Sequence, residues 1–259
     1  MKKYTLITVL IILVSCSNTL KKKYSNQNSK EDLIELKTIL NSEDFDLLEN
    51  TIIRLSFNTQ EIEKFTYQEI LEKGKDLKNS EKKAKNKIIQ EVNFEEEKRK
   101  RYTKTIEKLK IIRDAQVKYY ELNGIYSNDK KRLINFIEKS KLAITIVKEH
   151  NGKRVIDTIG YEPVLKYFEN RDYKNMWKVQ GKEFELKTGV VEKIAGLKIP
   201  VFITRIEKEL ILEGLKKELV EKEKKGYSNY EIKGEYISVG SLNEITTGGN
   251  WPPSYDKTE

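Results

Sequence analysis

The chain is poor in the residues that usually carry chemistry. It has one Cys and one His among 259 residues, four Pro and two Met. A single Cys excludes a disulfide framework and a thiolate-rich zinc site within the chain. A single His excludes multi-His metal centres and any mechanism that needs paired imidazoles. No Gly-x-Ser-x-Gly, His-Glu-x-x-His, P-loop or dinucleotide fingerprint occurs. Long apolar runs are missing beyond the N-terminus, which argues against a polytopic membrane protein. What is abundant is charge: 35% of residues are Asp, Glu, Lys or Arg, against 37% hydrophobic. That balance suits exposed helices around a modest core, in one or two domains. The formal charge is +9, and it falls to +7 if residues 1–15, with Lys2 and Lys3, are removed.

The N-terminus reads as an export signal. Lys2 and Lys3 precede an apolar run from Tyr4 to Val14, interrupted only by Thr5 and Thr8. That run, about 17 Å as a helix, is too short to span a membrane. It ends Leu13, Val14, Ser15, Cys16, which resembles the lipobox of bacterial lipoproteins. The resemblance implies cleavage between Ser15 and Cys16 and acylation of Cys16. Two or three acyl chains would hold the protein on a bilayer without a transmembrane helix. Ser17 follows, not Asp, so the expected location is the outer membrane, facing the periplasm. Residues 16–29 read as a tether, with Lys21, Lys22 and Lys23 able to meet anionic headgroups.

Residues 30–83 carry helical periodicity with three expected helices. Capping boxes are expected at Ser29 with Asp32 and at Thr66 with Glu69, and a re-capping break at Asn41 and Ser42. The stretch resembles a small helical domain of uncharacterised bacterial lipoproteins, through residues 35–40, 46–48 and 66–71. Residues 84–138 hold a long charged helix without Pro or Gly from Ala84 to Leu122, polar all round in its first half. The basic quartet of residues 98–101 alternates with acids and follows an export signal, so it is expected on a solvated helix face and not on nucleic acid.

From Ala115 to Tyr126 the pattern Ala-x-x-x-Tyr-x-x-x-x-Gly-x-Tyr resembles the end of the long helix in type IV pilins and pseudopilins. Gly124 is expected to stop the helix in a left-handed conformation, with Tyr126 covering the last turn. The pilin processing motif and polymerisation helix are absent. Residues 139–242 read as an α+β body. It comprises a hairpin around Asn151 and Gly152, strands at residues 182–187 and 198–203 with Pro200 at an edge, one amphipathic helix over 206–225 and a final strand over 230–239. Residues 243–259 read as a mobile tail unless Trp251 docks; Trp251 is a candidate partner contact, and its packing back on the body is the preferred alternative. This half resembles uncharacterised envelope proteins of Bacteroidota-type bacteria, through residues 112–119, 184–193, 199–202, 239–242 and 249–251. That likeness implies a pilin-like head and no known reaction.

The expected fold class is therefore α+β: an N-terminal helical module, a long charged helix, then a small antiparallel sheet packed on helices. His150 is placed in a solvent turn. Glu183 and Glu185, at i,i+2, have the spacing of a carboxylate dyad, and solvated Glu/Lys alternation produces the same spacing. No catalytic, cofactor or metal residue is assigned. The expected role is a non-enzymatic lipoprotein: a structural or adaptor component of an envelope assembly, with a secretion or pilus-like apparatus as one setting. Its expected partners are the bilayer, through acylated Cys16, and an envelope protein. The alternatives are a binding module for an anionic envelope polymer or lipid headgroups, and a carboxylate-based envelope hydrolase.

Overall fold

The computed structural model describes residues 19–58, 61–150, 153–226 and 231–256. The apolar run, Ser15 and Cys16 lie outside them. The chain is α+β and divides into two compact units between Gln90 and Glu91. That division falls inside one helix, which runs unbroken from Tyr67 to Asn123.

The first unit contains α1 (Ser29–Ile39), α2 (Ser42–Asn58) and the start of α3 (Tyr67–Asn123). Leu36, Phe45, Leu48, Ile52, Tyr67, Ile70 and Leu71 are buried in one seam. Asn41 caps α2, its side-chain oxygen accepting from the Asp44 amide at 2.9 Å. The Thr66–Glu69 box forms as expected: the Thr66 amide donates to Glu69 Oε2 at 2.7 Å and the Glu69 amide to Thr66 Oγ1 at 3.2 Å. The Ser29–Asp32 box does not form. Asp32 instead accepts from Lys22 Nζ at 3.0 Å and the Tyr67 hydroxyl at 3.2 Å, and is buried.

That use of Asp32 corrects the tether. Lys22 O accepts from the Tyr67 amide, the Tyr24 amide donates to Phe65 O, and Lys23 bridges Thr66. Tyr24 packs edge-on against Tyr67 with centroids 5.7 Å apart. Residues 20–24 are thus part of the unit, because Tyr24 contributes apolar area to a small core that needs it.

In the second unit, α3 lays a stripe of Tyr102, Ile106, Leu109, Ile112, Ala115 and Tyr119 into the main core. Residues 78–90 of the same helix are exposed throughout, Ile88 and Ile89 included. Gly124 stops α3 at φ +70°, and Tyr126 stacks on Tyr120 with centroids 4.9 Å apart. α4 (Lys130–Lys139) follows, capped by Asp129, which accepts from the Lys131 and Arg132 amides. Those bonds hold the Asp129 carboxyl below its ordinary pKa.

β1 (Lys141–His150) and β2 (Lys153–Pro163) form an antiparallel hairpin that is a sheet by itself. His150 pairs with Lys153, leaving Asn151 and Gly152 between the strands and outside the described residues. β3 (Lys178–Val179) and β4 (Lys182–Glu183) make a minimal hairpin. β5 (Glu185–Glu192), β6 (Lys198–Glu207) and β7 (Tyr236–Gly240) make the body sheet, in the order β5-β6-β7. The expected strand over 182–187 is broken at Phe184, which turns inward and is buried. β6 is central, yet β7 pairs only from Ile203 onward, so Pro200 lies where β6 has one partner.

The single helix expected over 206–225 is not found. β6 runs to Glu207, α5 covers Lys208–Ile211, and α6 covers Lys217–Lys225. Gly214, at φ +84°, sits in the break. The sheet recruits Ile206, which is 3% exposed, so burial overrides the helical period there. The described part of the tail is not free. Val239 bridges Gly249, and the Asn250 side chain accepts from the Ser238 amide at 2.9 Å and donates to Tyr236 O at 2.8 Å.

Candidate functional site

Two places hold unusual side-chain arrangements. The first is a polar cluster at an open cleft of about 950 Å³ in the second unit, between α3, α6 and the segment at residues 254–255. Lys98 and Glu223 are each below a tenth exposed and Lys208 is fully buried. Lys98 Nζ donates to Glu95 Oε2 at 2.7 Å and to Glu223 Oε2 at 2.9 Å. The Tyr102 hydroxyl donates to Glu223 Oε1 at 3.3 Å. Lys208 Nζ meets the same oxygen at 3.3 Å, donates to Glu223 O at 2.8 Å, and also donates to Ile232 O.

Burial alone would lower the Lys98 pKa, but the bonds from Glu95 and Glu223 outweigh it and the net shift is upward. For Lys208 burial wins, and the ammonium is held below its ordinary value despite Glu223. Burial, then the Glu223 charge, pushes the Tyr102 hydroxyl far up, so it stays a donor. Three donors converge on one carboxylate, and they come from α3 and α5. The cluster is a clamp that joins α6 and Ile232 to the core helix. Neighbouring Arg101 reinforces it, with Nη1 donating to Ile211 O at 3.0 Å and Glu213 O at 2.8 Å.

The solvated face expected at residues 98–101 thus holds only for Arg99 and Lys100, which are exposed. The clamp was not visible in the sequence, because Glu223 lies 125 residues from Lys98 in another Lys/Glu-rich stretch.

The other candidates separate in space. Glu183 takes Lys130 and Lys178, each at 3.3 Å, while Glu185 takes Arg205 at 2.6 Å and Lys187. Hydrogen bonds from Lys130, then Lys178, lower the Glu183 pKa; those from Arg205, then Lys187, lower that of Glu185. Neither carboxyl has the raised pKa that a general acid needs. Trp251 is no exposed anchor. It is 8% exposed, its Nε1 donates to Asp256 Oδ1 at 3.1 Å, and a Cβ on Gly249 would fall 2.3 Å from its ring. Gln116 is buried and bonds both the Ser127 amide and carbonyl, which closes the return past Gly124. Gln116 and Trp251 are thus held inside the fold.

A cleft of about 690 Å³ is ringed by Lys104, Lys108, Lys110, Arg171 and Lys178. Four of these heads are already engaged: Lys108 by Asp172, Lys110 by Asp256, Arg171 by Asp114 and Lys178 by Glu183. Among the described residues no group of three or more His, Cys, Asp or Glu is placed to hold a metal ion. No described helix is long and apolar enough to cross a membrane.

The second place is the β1–β2 hairpin. Val147 is 66% exposed, Ile156 70% and Tyr161 68%, all on one face by register. Ile144, Val155 and Ile159 are exposed too. Only the base is held: Leu142 packs on the core, and the Val164 amide donates to Ser140 O at 3.0 Å. This hairpin therefore exposes more apolar side chains than a two-stranded element can bury by itself. No protein-family model, curated protein or solved structure matches the chain.

Proposed function

We propose that this chain is a membrane-tethered lipoprotein that acts as a structural or adaptor component of a bacterial envelope assembly, at the outer membrane facing the periplasm. The β1–β2 hairpin carries the adaptor role: it presents aliphatic and aromatic side chains beyond what its own fold buries. The sequence at Ser15 and Cys16 supports the tether. Two residues separate Cys16 from Thr19, which is 1% exposed, and the three steps between them span at most about 11 Å. An acylated Cys16 would therefore hold the first unit against the bilayer surface, not on a long leash.

Two measurements test this reading. Radiolabelled palmitate should enter the wild-type chain and not the Cys16→Ser variant, which should leave the membrane fraction. Pull-down from detergent-solubilised envelopes should recover a reproducible partner, and Ile156→Asp with Val147→Asp should lose it. Equal labelling of both chains removes the tether. A partner retained by the hairpin variant removes the role given to that element.

A further inference from the structure

The two outer edges of the hairpin differ. β2 carries a bulge: Ile144 pairs with Gly160 and Thr145 with Thr158, so Ile159 has no partner. A bulge, a Gly and a terminal Pro163 blunt that edge. β1 is regular, has neither Gly nor Pro, and carries no charge over residues 142–147. A regular, uncharged, β-branched edge is a template for another strand. Its ends carry opposite charges. Lys141 and Glu149 are both exposed, and neither is in an ion pair among the described residues.

We propose that β1 pairs, antiparallel, with β1 of a second copy of this chain, about a two-fold axis at Thr145. Such an axis, normal to the sheet, keeps every side chain on its own face, so odd positions meet odd positions. Lys141 then opposes Glu149 of the second copy, Ala143 opposes its Val147, and Thr145 meets Thr145. On the other face Ile144 opposes Ile146, and Leu142 opposes the stem of Lys148. Moving the axis one residue either way sets Lys141 against Val147 or Glu149 against Ala143, and loses both ion pairs. The neighbouring strands fit the same register. Glu149 lies between its own Arg154 and the incoming Lys141, and Tyr161 lies beside Ala143, where a small residue leaves room.

The product is a four-stranded sheet, above the three strands at which a sheet becomes independently stable. A bilayer is a poorer occupant, because the exposed Lys148, Glu149 and Arg154 flank the hairpin tip. The proposal rests on the hairpin being the interaction element and not on the lipid.

Disulfide trapping in the full chain tests it, in a Cys16→Ser background where the introduced thiol is the sole one. Thr145→Cys should form a covalent dimer on oxidation, because paired Cα atoms about 4.5–5.5 Å apart suit a disulfide. Thr158→Cys, on the same face, should not, because three strand spacings, about 14 Å, separate the two copies. Trapping at both sites or at neither overturns the arrangement. In sedimentation, Glu149→Lys should weaken the dimer about tenfold, and adding Lys141→Glu should restore it; a double variant as weak as the single one overturns the register. A dimer lost while an envelope partner is still captured leaves the adaptor role intact. A dimer formed with no partner captured removes that role and keeps the pairing.

Discussion

The body sheet and the β1–β2 hairpin are built from similar residues and reach opposite ends. Both are antiparallel and β-branched. In β6 the inward positions are sealed: Phe202 and Thr204 are fully buried and Ile206 is 3% exposed. In the hairpin, Val147 and Ile156 stand in solvent. Edge treatment differs as well. The tail covers the outer edge of β7, where Asn250 satisfies Ser238 and Tyr236 with a side-chain amide that imitates a strand. Nothing described covers β1. Strand propensity thus sets backbone conformation, whereas burial depends on what else the chain lays against the strand.

Substitutions at matched positions would break this contrast or sharpen it. Phe202→Ala should cost about 3–5 kcal/mol in urea denaturation, because Phe202 is fully buried beside Tyr126. Ile156→Thr in the hairpin should change stability by less than about 0.5 kcal/mol. Similar losses at both sites would mean that the hairpin is packed in solution. Glu223→Ala should cost about 3 kcal/mol, since it leaves Lys98 and Lys208 buried without their carboxylate; a loss under about 1 kcal/mol would show that the clamp is not structural.

Thr204→Val should do the reverse. Its hydroxyl is buried in β6 with no hydrogen-bond partner, and a near-isosteric apolar replacement should stabilise the chain by about 1 kcal/mol in the same assay. Asp129→Asn tests the α4 cap through pH. The folded carboxyl titrates below its ordinary 3.8, so its extra stabilisation is present above that value and lost as pH falls through the lowered one. Wild type should therefore exceed the variant at neutral pH and converge with it in acid. A difference that persists at low pH would mean that charge is not the cause.

Local signals were legible where neighbours along the chain satisfy one another. Thr66 with Glu69, Asn41 before α2, and Gly124 after α3 all act within four residues, and each appears as its pattern implies. Signals failed where a distant group competed. Asp32 left its capping box for Lys22 and Tyr67. Ile206 left the helical period for β6, and the rest of the expected helix breaks around Gly214 into α5 and α6. Trp251 packs back on the body, the reading preferred to an exposed anchor, although no periodicity marked the groups it would meet. Lys98 looked like its exposed neighbours because no helical period separates a buried ammonium from a solvated one.

The sequence by itself determined the α+β class, the exposed charged stretch of α3, the helix stop at Gly124 and the hairpin register around Asn151 and Gly152. These follow from backbone conformation and period, which each residue and its near neighbours control. Only the tertiary structure decided that residues 20–24 join the first core, that Glu223 reaches Lys98 and Lys208, that the tail seals β7, and that β1 keeps a bare edge. Those outcomes depend on which surfaces exclude water together. Solvent exclusion belongs to groups brought close in space, and a one-dimensional pattern does not record it.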